Sequence, residues 1–276
     1  MSHLLSKYSP IESDSLVQSI TPKSANWEYV GFAVHELKAN ETLTIARSST
    51  EKCLVLVSGR ATVTVKDQIF SHIGERMSPF EKDANQNPIK PHSVYVAAEQ
   101  TVHIIAETDL ELAVCEAPSE GTLESRYIRP QEVEAEHRGR GQNQRYVHNI
   151  LPENKPADSL LVVEVFTEQG CTSSYPSHKH DQDIDAQETY LEETYYHRLN
   201  PEQGFCMQRV YTDDRELDEC MAVYDKDVVM VPKGYHPVAT MAGYDSYYLN
   251  VMAGPKRQWL FSWEYAHAWV NSQEYK

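Results

Sequence analysis

The chain has 276 residues, enough for one large domain or two of ordinary size, and its 41% hydrophobic and 24% charged residues are those of a globular protein. A net charge of −16 excludes a binder of phosphate backbones, which needs basic surface, and obliges any anionic substrate to find a local Arg or Lys. No apolar run approaches a membrane span, the N-terminus lacks the basic start and apolar stretch of a signal peptide, and the scattered Cys53, Cys115, Cys171, Cys206 and Cys220 form no CxxC pair and read as reduced thiols, which together place the chain in the cytoplasm.

Period-two apolar patterns predict strands at Cys53–Val57, Ala61–Val65, Ser93–Ala97 and Thr101–Ile105. Helical segments are few, and Gln131–His137 between the halves is one candidate turn. Further strands are predicted at Leu160–Phe166, Val228–Val231 and Tyr247–Met252. Many short strands punctuated by Gly, Pro, Asn and Asp indicate an all-β sandwich or barrel. The plan also repeats. Val94–Ala106 resembles Val229–Ala242 with a one-residue gap, the segments that follow (106–117 and 242–253) match in length, and Val30–Ile45 resembles Val162–Pro176 in pattern. Two successive β domains explain this better than one large barrel. The charged, turn-rich stretch from Pro118 to Gln144 reads as a solvated join, so the domains are drawn as residues 1–130 and 131–276.

Chemistry concentrates in the second half. His178 and His180 stand two apart, and residues i and i+2 of a strand share a face, so both imidazoles can converge on one ion while Lys179 points away. On the next strand Glu193, Tyr195 and His197 share a face by the same rule. This favours Glu193 over Glu192 as a ligand, with Glu188 a further alternative. His236 follows a Pro-x-Gly turn at the end of the Val228–Val231 strand, where a hairpin can swing it back. Imidazole and carboxylate donors without cysteine suit a divalent ion: zinc, manganese, iron, nickel or copper.

The order Gly170, His178, His180, Glu193, Gly204, then Pro232-x-Gly234-x-His236, resembles the two motifs of the cupin superfamily. The second motif is one residue short, and the spacer from His180 to Glu193 is long and acidic, with Asp181, Asp183 and Asp185. The flanks Tyr175–Asp181, Leu191–Arg198, Gln203–Phe205, Val231–Pro237 and Tyr247–Gly254 are similar to those of the 5-deoxy-glucuronate isomerases of myo-inositol catabolism, a bicupin family. The resemblance implies two tandem cupin-like domains (double-stranded β-helices), with a zinc-type site of His178, His180, Glu193 and His236 in the second. In the first domain Ala46-Arg-Ser48 stands where the histidine pair would be, Thr101 or Val102 falls opposite His236, and Glu51 alone remains, so that domain is expected to be metal-free.

The implied reaction is the aldose–ketose isomerisation of 5-deoxy-D-glucuronate to 2-deoxy-5-keto-D-gluconate through an enediolate that a Lewis acid stabilises. Tyr195, His197 and Tyr247 are the candidates for moving the proton, with Glu192 an alternative if a bulge rotates its strand. Arg209, Lys233 and Arg257 are the candidates for holding the substrate carboxylate. An iron-dependent cupin dioxygenase could use the same ligands, and a non-catalytic sugar-binding cupin would bind without turnover. Exposed and paired edge strands read alike in sequence, so a monomer and a homo-oligomer both stay open.

Overall fold

The computed structural model describes residues 2–10 and 15–272. The strands of the N-terminal half are β1 (Leu5–Ser6), β2 (Leu16–Ile20), β3 (Gly31–Leu37), β4 (Thr42–Ile45), β5 (Thr50–Ser58), β6 (Ala61–Val65), β7 (Gln68–Ile73), β8 (Ser93–Val96), β9 (Val102–Ala106), β10 (Leu110–Pro118) and β11 (Arg126–Ile128). Those of the C-terminal half are β12 (Glu134–Arg138), β13 (Arg145–Leu151), β14 (Leu161–Thr167), β15 (Thr172–Ser173), β16 (His178–Lys179), β17 (Glu192–Asn200), β18 (Phe205–Tyr211), β19 (Asp218–Tyr224), β20 (Val228–Val231), β21 (Val238–Thr240), β22 (Asp245–Ala253) and β23 (Ser262–Trp263). Among the described residues no helix is long and apolar enough to cross a membrane.

The chain forms two compact units. One comprises Ser9–Glu134 and Asn149–Val162, the other Met1–Tyr8, Ala135–His148 and Val163–Lys276. A single cut near residue 130 does not divide the chain in this way. The N-terminal β1 belongs with the C-terminal half, where Leu5 pairs with Val229 of β20, and residues 149–162 return to the first unit. The helical turn expected over 131–137 is also corrected. A 3-10 turn spans only Pro130–Glu132, and the alternating sequence after it runs on as β12 at a sheet edge.

The internal repeat is visible in strand order. One sheet runs β11-β8-β5-β10-β3-β2, another β1-β20-β17-β22-β14-β13-β12. Their central strands correspond, and the lengths match: β8 and β20 have 4 residues, β5, β10, β17 and β22 have 9, and β3 and β14 have 7. The opposing sheets repeat likewise, as β4-β9-β6-β7 and β15-β21-β18-β19.

The first core is built from the inward side chains of its two sheets. Leu54, Leu56, Val94, Leu112 and Val114 meet Val63, Val65, Val102 and Ile104, all nearly inaccessible. Glu51 occupies the second position of β5, as Glu193 does in β17. It is fully buried and accepts from the Tyr95 hydroxyl at 2.5 Å and from the N–H groups of Asp158, Ser159 and Leu160 at 2.8, 2.6 and 2.6 Å. Those donors account for its charge where it sits.

Candidate metal centre

β17 carries the face on which the site is built. Glu193, Tyr195 and His197 alternate inward and lie opposite Met252, Asn250 and Tyr248 of β22. His178 is held by the short β16–β23 pair, where it faces Trp263, and its ring packs on Phe261 with centroids 4.8 Å apart. His236 arrives from the turn after β20. One ring nitrogen from each of His178, His180 and His236 lies within 4.8 Å of the others, and all three residues are buried.

The turn explains why glycine precedes His236. Gly234 has φ +88°, and a Cβ there would lie 2.4 Å from the Tyr211 carbonyl oxygen. Its carbonyl accepts from His236 Nδ1 at 2.8 Å, and its N–H donates to Asp181 Oδ2 at 2.9 Å. Gly234→Ala is therefore expected to cost about 1–3 kcal/mol and to loosen His236, seen as a lower urea midpoint together with weaker metal retention. An unchanged midpoint would show that the turn tolerates a side chain.

Hydrogen bonding sets the tautomers. His180 Nδ1 faces the Leu191 carbonyl at 3.0 Å and His236 Nδ1 the Gly234 carbonyl, so each Nδ1 carries a proton and each Nε2 of the neutral ring carries a lone pair. Both Nε2 atoms converge on Glu193 Oε2, at 3.1 Å from His180 and 3.3 Å from His236. His178 Nδ1 and His236 Nε2 are buried without a hydrogen-bond partner. Buried acceptors aimed at one another around a carboxylate call for a shared cation. Burial, then the neighbouring His236 and His180, holds His178 well below the ordinary imidazole range, and burial lowers His236 to about 4. Burial also opposes charge on His180, but the hydrogen bond and charge of Glu193 outweigh it and raise that ring. Neutral imidazoles with one carboxylate are the donor set of a divalent ion, so the residues fit the metal that the sequence suggests.

The long acidic spacer is a loop with its own bonding. Glu188 accepts from the N–H groups of Asp181 and Gln182 at 2.9 and 3.0 Å, and Lys179 Nζ lies 3.0 Å from both Asp181 and Asp213. Glu192 is on the opposite face of β17. Neither carboxylate competes with Glu193.

Tyr195 stands beside the cluster, its ring centroid 5.7 Å from that of His236. Its hydroxyl is 3.0 Å from Ser174 Oγ, which is 3.3 Å from the Tyr248 hydroxyl. Burial, then the charge of Glu193, pushes the Tyr195 phenol well above its usual range, so it remains protonated. His197 stacks on Tyr195 at 6.0 Å, but both its nitrogens are engaged: Nε2 with Gln208 Oε1 at 2.8 Å and Nδ1 with Cys206 Sγ at 3.5 Å. It supports Tyr195 rather than facing a ligand.

Burial lowers His197 from 6.5 to about 4. The fold favours its neutral form, so its contribution is complete above pH 6.5 and is lost as pH falls towards 4, a change of about 3 kcal/mol. The pH dependence of urea stability should therefore be flatter in His197→Gln by most of that amount. Parallel curves for the two proteins would refute the assignment.

Of the other expected site residues, Tyr247 and Arg209 face away, and Lys233 and Arg257 lie on connections between strands. Tyr247 pairs with Arg198 on the outer face of the sheet, and its hydroxyl donates to Glu164 at 3.0 Å; the inward tyrosine is Tyr248. Arg209 points outward from β18 and is clasped by Asp218 through two 2.7 Å bonds. Lys233 is exposed on its turn. Arg257 is half-buried between β22 and β23. Two further residues stand beside Tyr195: Tyr248, inward on β22, and Ser174, just after β15.

A model of the KduI/IolB family matches residues 4–270. The chain is 54% identical over 267 residues to the 5-deoxy-glucuronate isomerase of Geobacillus thermodenitrificans, covering 97% of this chain and 95% of the relative. It is 47% identical to that of Bacillus subtilis strain 168, covering 98% of this chain and 99% of the relative. The crystal structure of an IolB-like protein from Salmonella typhimurium LT2 superposes with a TM-score of 0.93 at 60% identity, covering 98% of this chain and all of the other (100%). Oxalate decarboxylase of Bacillus subtilis, with a TM-score of 0.60 at 13% identity over 89% of this chain and 74% of its own, shares the cupin fold. The chain belongs to the KduI/IolB family.

Proposed function

We propose that the chain is a metal-dependent isomerase that converts 5-deoxy-D-glucuronate to 2-deoxy-5-keto-D-gluconate, acting in the cytoplasm in inositol catabolism. The observation that carries the chemistry is the mutual approach of three buried imidazoles, two of which reach Glu193 Oε2, beside a protonated phenol. The activity of the relatives, named on proteins about half identical over nearly the whole chain, supplies the substrate. His178, His180, Glu193 and His236 would hold the ion, zinc by preference for this donor set and manganese, iron or nickel as alternatives. When bound, such an ion supplies Lewis acidity at the aldehyde and its neighbouring hydroxyl.

The remaining roles belong to the chain. Isomerisation removes the proton from the hydroxyl-bearing carbon and returns one to the former aldehyde carbon. Tyr195 holds its phenolic proton at Oη, and Ser174 Oγ joins it to the Tyr248 hydroxyl, a short relay that can pass a proton without charging a buried ring. The aromatic walls of Phe261 and Trp263 beside His178 limit water on that side. Residues 131–276 carry this site, and residues 1–130 are assigned no metal.

The test is turnover without oxygen. Chelator-stripped protein should be inactive, zinc should restore it anaerobically, and deuterium from solvent should appear at the product hydroxymethyl carbon. A requirement for oxygen would favour the dioxygenase, binding without turnover the sugar-binding cupin, and full retention of the migrating hydrogen a hydride shift.

A further inference from the structure

The net charge of −16 leaves the approach of an acidic sugar unfavourable unless a cation waits at the site. Most cations near the second sheets are already neutralised. Arg209 is clasped by Asp218, Lys179 lies between Asp181 and Asp213, Arg215 reaches Glu264 at 3.0 Å, and Arg198 holds Asp225 at 2.9 Å. Arg145 differs. Its Nη1 donates to neutral oxygens only: the Asn143 carbonyl at 3.1 Å, the Asn143 side chain at 3.4 Å and the Tyr175 carbonyl at 3.4 Å. Among the described residues no carboxylate lies within ion-pair distance of it. Glu136, the one carboxylate that raises it noticeably, is itself paired with Arg138 at 2.7 Å.

Its direction follows from the pleat. His148, three residues along β13, bonds Glu164 at 2.6 Å, and Glu164 also receives the hydroxyl of the outward Tyr247. Positions 146 and 148 therefore face outward, and 145 and 147 face inward with Tyr248 and Tyr195. Electrostatics agree: the Arg145 charge interacts with Tyr248, Tyr195 and His178. Its Tyr175 anchor sits next to Ser174, the residue joining the two inward hydroxyls. Gly139 makes room for the guanidinium, since a Cβ there would lie 2.8 Å from Arg145 Nη1.

We propose that Arg145, held half-buried by the Asn143 and Tyr175 carbonyls and lacking any acidic partner, is the residue that binds the substrate carboxylate. Its unused N–H groups form the planar fork that suits a carboxylate. The assignment rests on the isomerase reading for its physiological ligand, but its test does not need turnover.

Glucuronate and glucose serve as probes, differing at the terminal carbon. Metal-loaded wild type should bind glucuronate in preference to glucose by calorimetry. Arg145→Gln should lose at least ~30-fold of that preference with its metal content and melting temperature retained, and Arg145→Lys should keep an intermediate share. With 5-deoxy-glucuronate, KM should rise in Arg145→Gln far more than kcat falls. Equal loss for both probes, no loss, or a wild type without preference would overturn the proposal. Absence of turnover by a wild type that still prefers glucuronate would instead sink the isomerase reading and leave this one standing.

Discussion

His236→Ala is expected to abolish stable metal binding and to lower kcat by at least ~10³-fold, the scale of several kcal/mol of Lewis-acid stabilisation. The reason lies in the hydrogen bonds. The Gly234 carbonyl directs the His236 Nε2 lone pair inward, where it meets that of His180 and the Glu193 carboxylate. Removing one of these donors leaves fewer ligands around an ion and a void where an imidazole packed against His178 at 4.7 Å between centroids. The fold itself should survive, because His236 stands on a turn and the pairing of β17 with β20 and β22 does not use its side chain. The check is metal per chain by mass spectrometry alongside circular dichroism and kcat. Full metal occupancy with normal turnover would remove His236, and with it the proposed centre.

The same centre binds protons in competition with metal. The ring nitrogens that would hold a metal are the same ones that protons occupy, so metal retention should weaken as pH falls.

The sequence shows the fold where period-two patterns are strong. Ala61–Val65 and Val228–Val231 are strands with the expected bounds, and the repeat it displays is the recurring strand order. That His178, His180 and His236 meet, with Glu193 beside two of them, was also legible, because strand parity and a glycine turn are local rules. Parity alone separates Glu193 from Glu192. What failed was register between strands. Tyr247 and Tyr248 cannot be sorted without knowing that Tyr248 lies opposite His197. Arg209 reads as a free cation until cross-strand pairing brings Asp218 to it. Arg145 is over 30 positions before His178 in the chain, and only its lack of a carboxylate partner, a property of the folded state, singles it out.

Tyr195→Phe is expected to lower kcat by about 10²–10³-fold while leaving metal content and KM nearly unchanged. Phenylalanine keeps the ring contacts with His236, His197 and Tyr248, whose centroids lie 5.7, 6.0 and 4.9 Å away, so the substitution removes the hydroxyl and little else. Ser174 retains its second partner, Tyr248, at 3.3 Å. The direction of the phenol's shift makes the role specific: a group held above its ordinary range donates a proton or hydrogen bond at neutral pH and does not begin as a base. The pH–rate profile of the wild type should accordingly show no Tyr195 limb below about pH 9. Tyr248→Phe, which leaves the Tyr195–Ser174 bond intact, should cost less than Tyr195→Phe. If the two variants lose rate equally the hydroxyls act as a relay of equal members, and if Tyr195→Phe keeps its rate the proton passes elsewhere. Tyr247→Phe, on the other face, serves as the control with activity close to wild type.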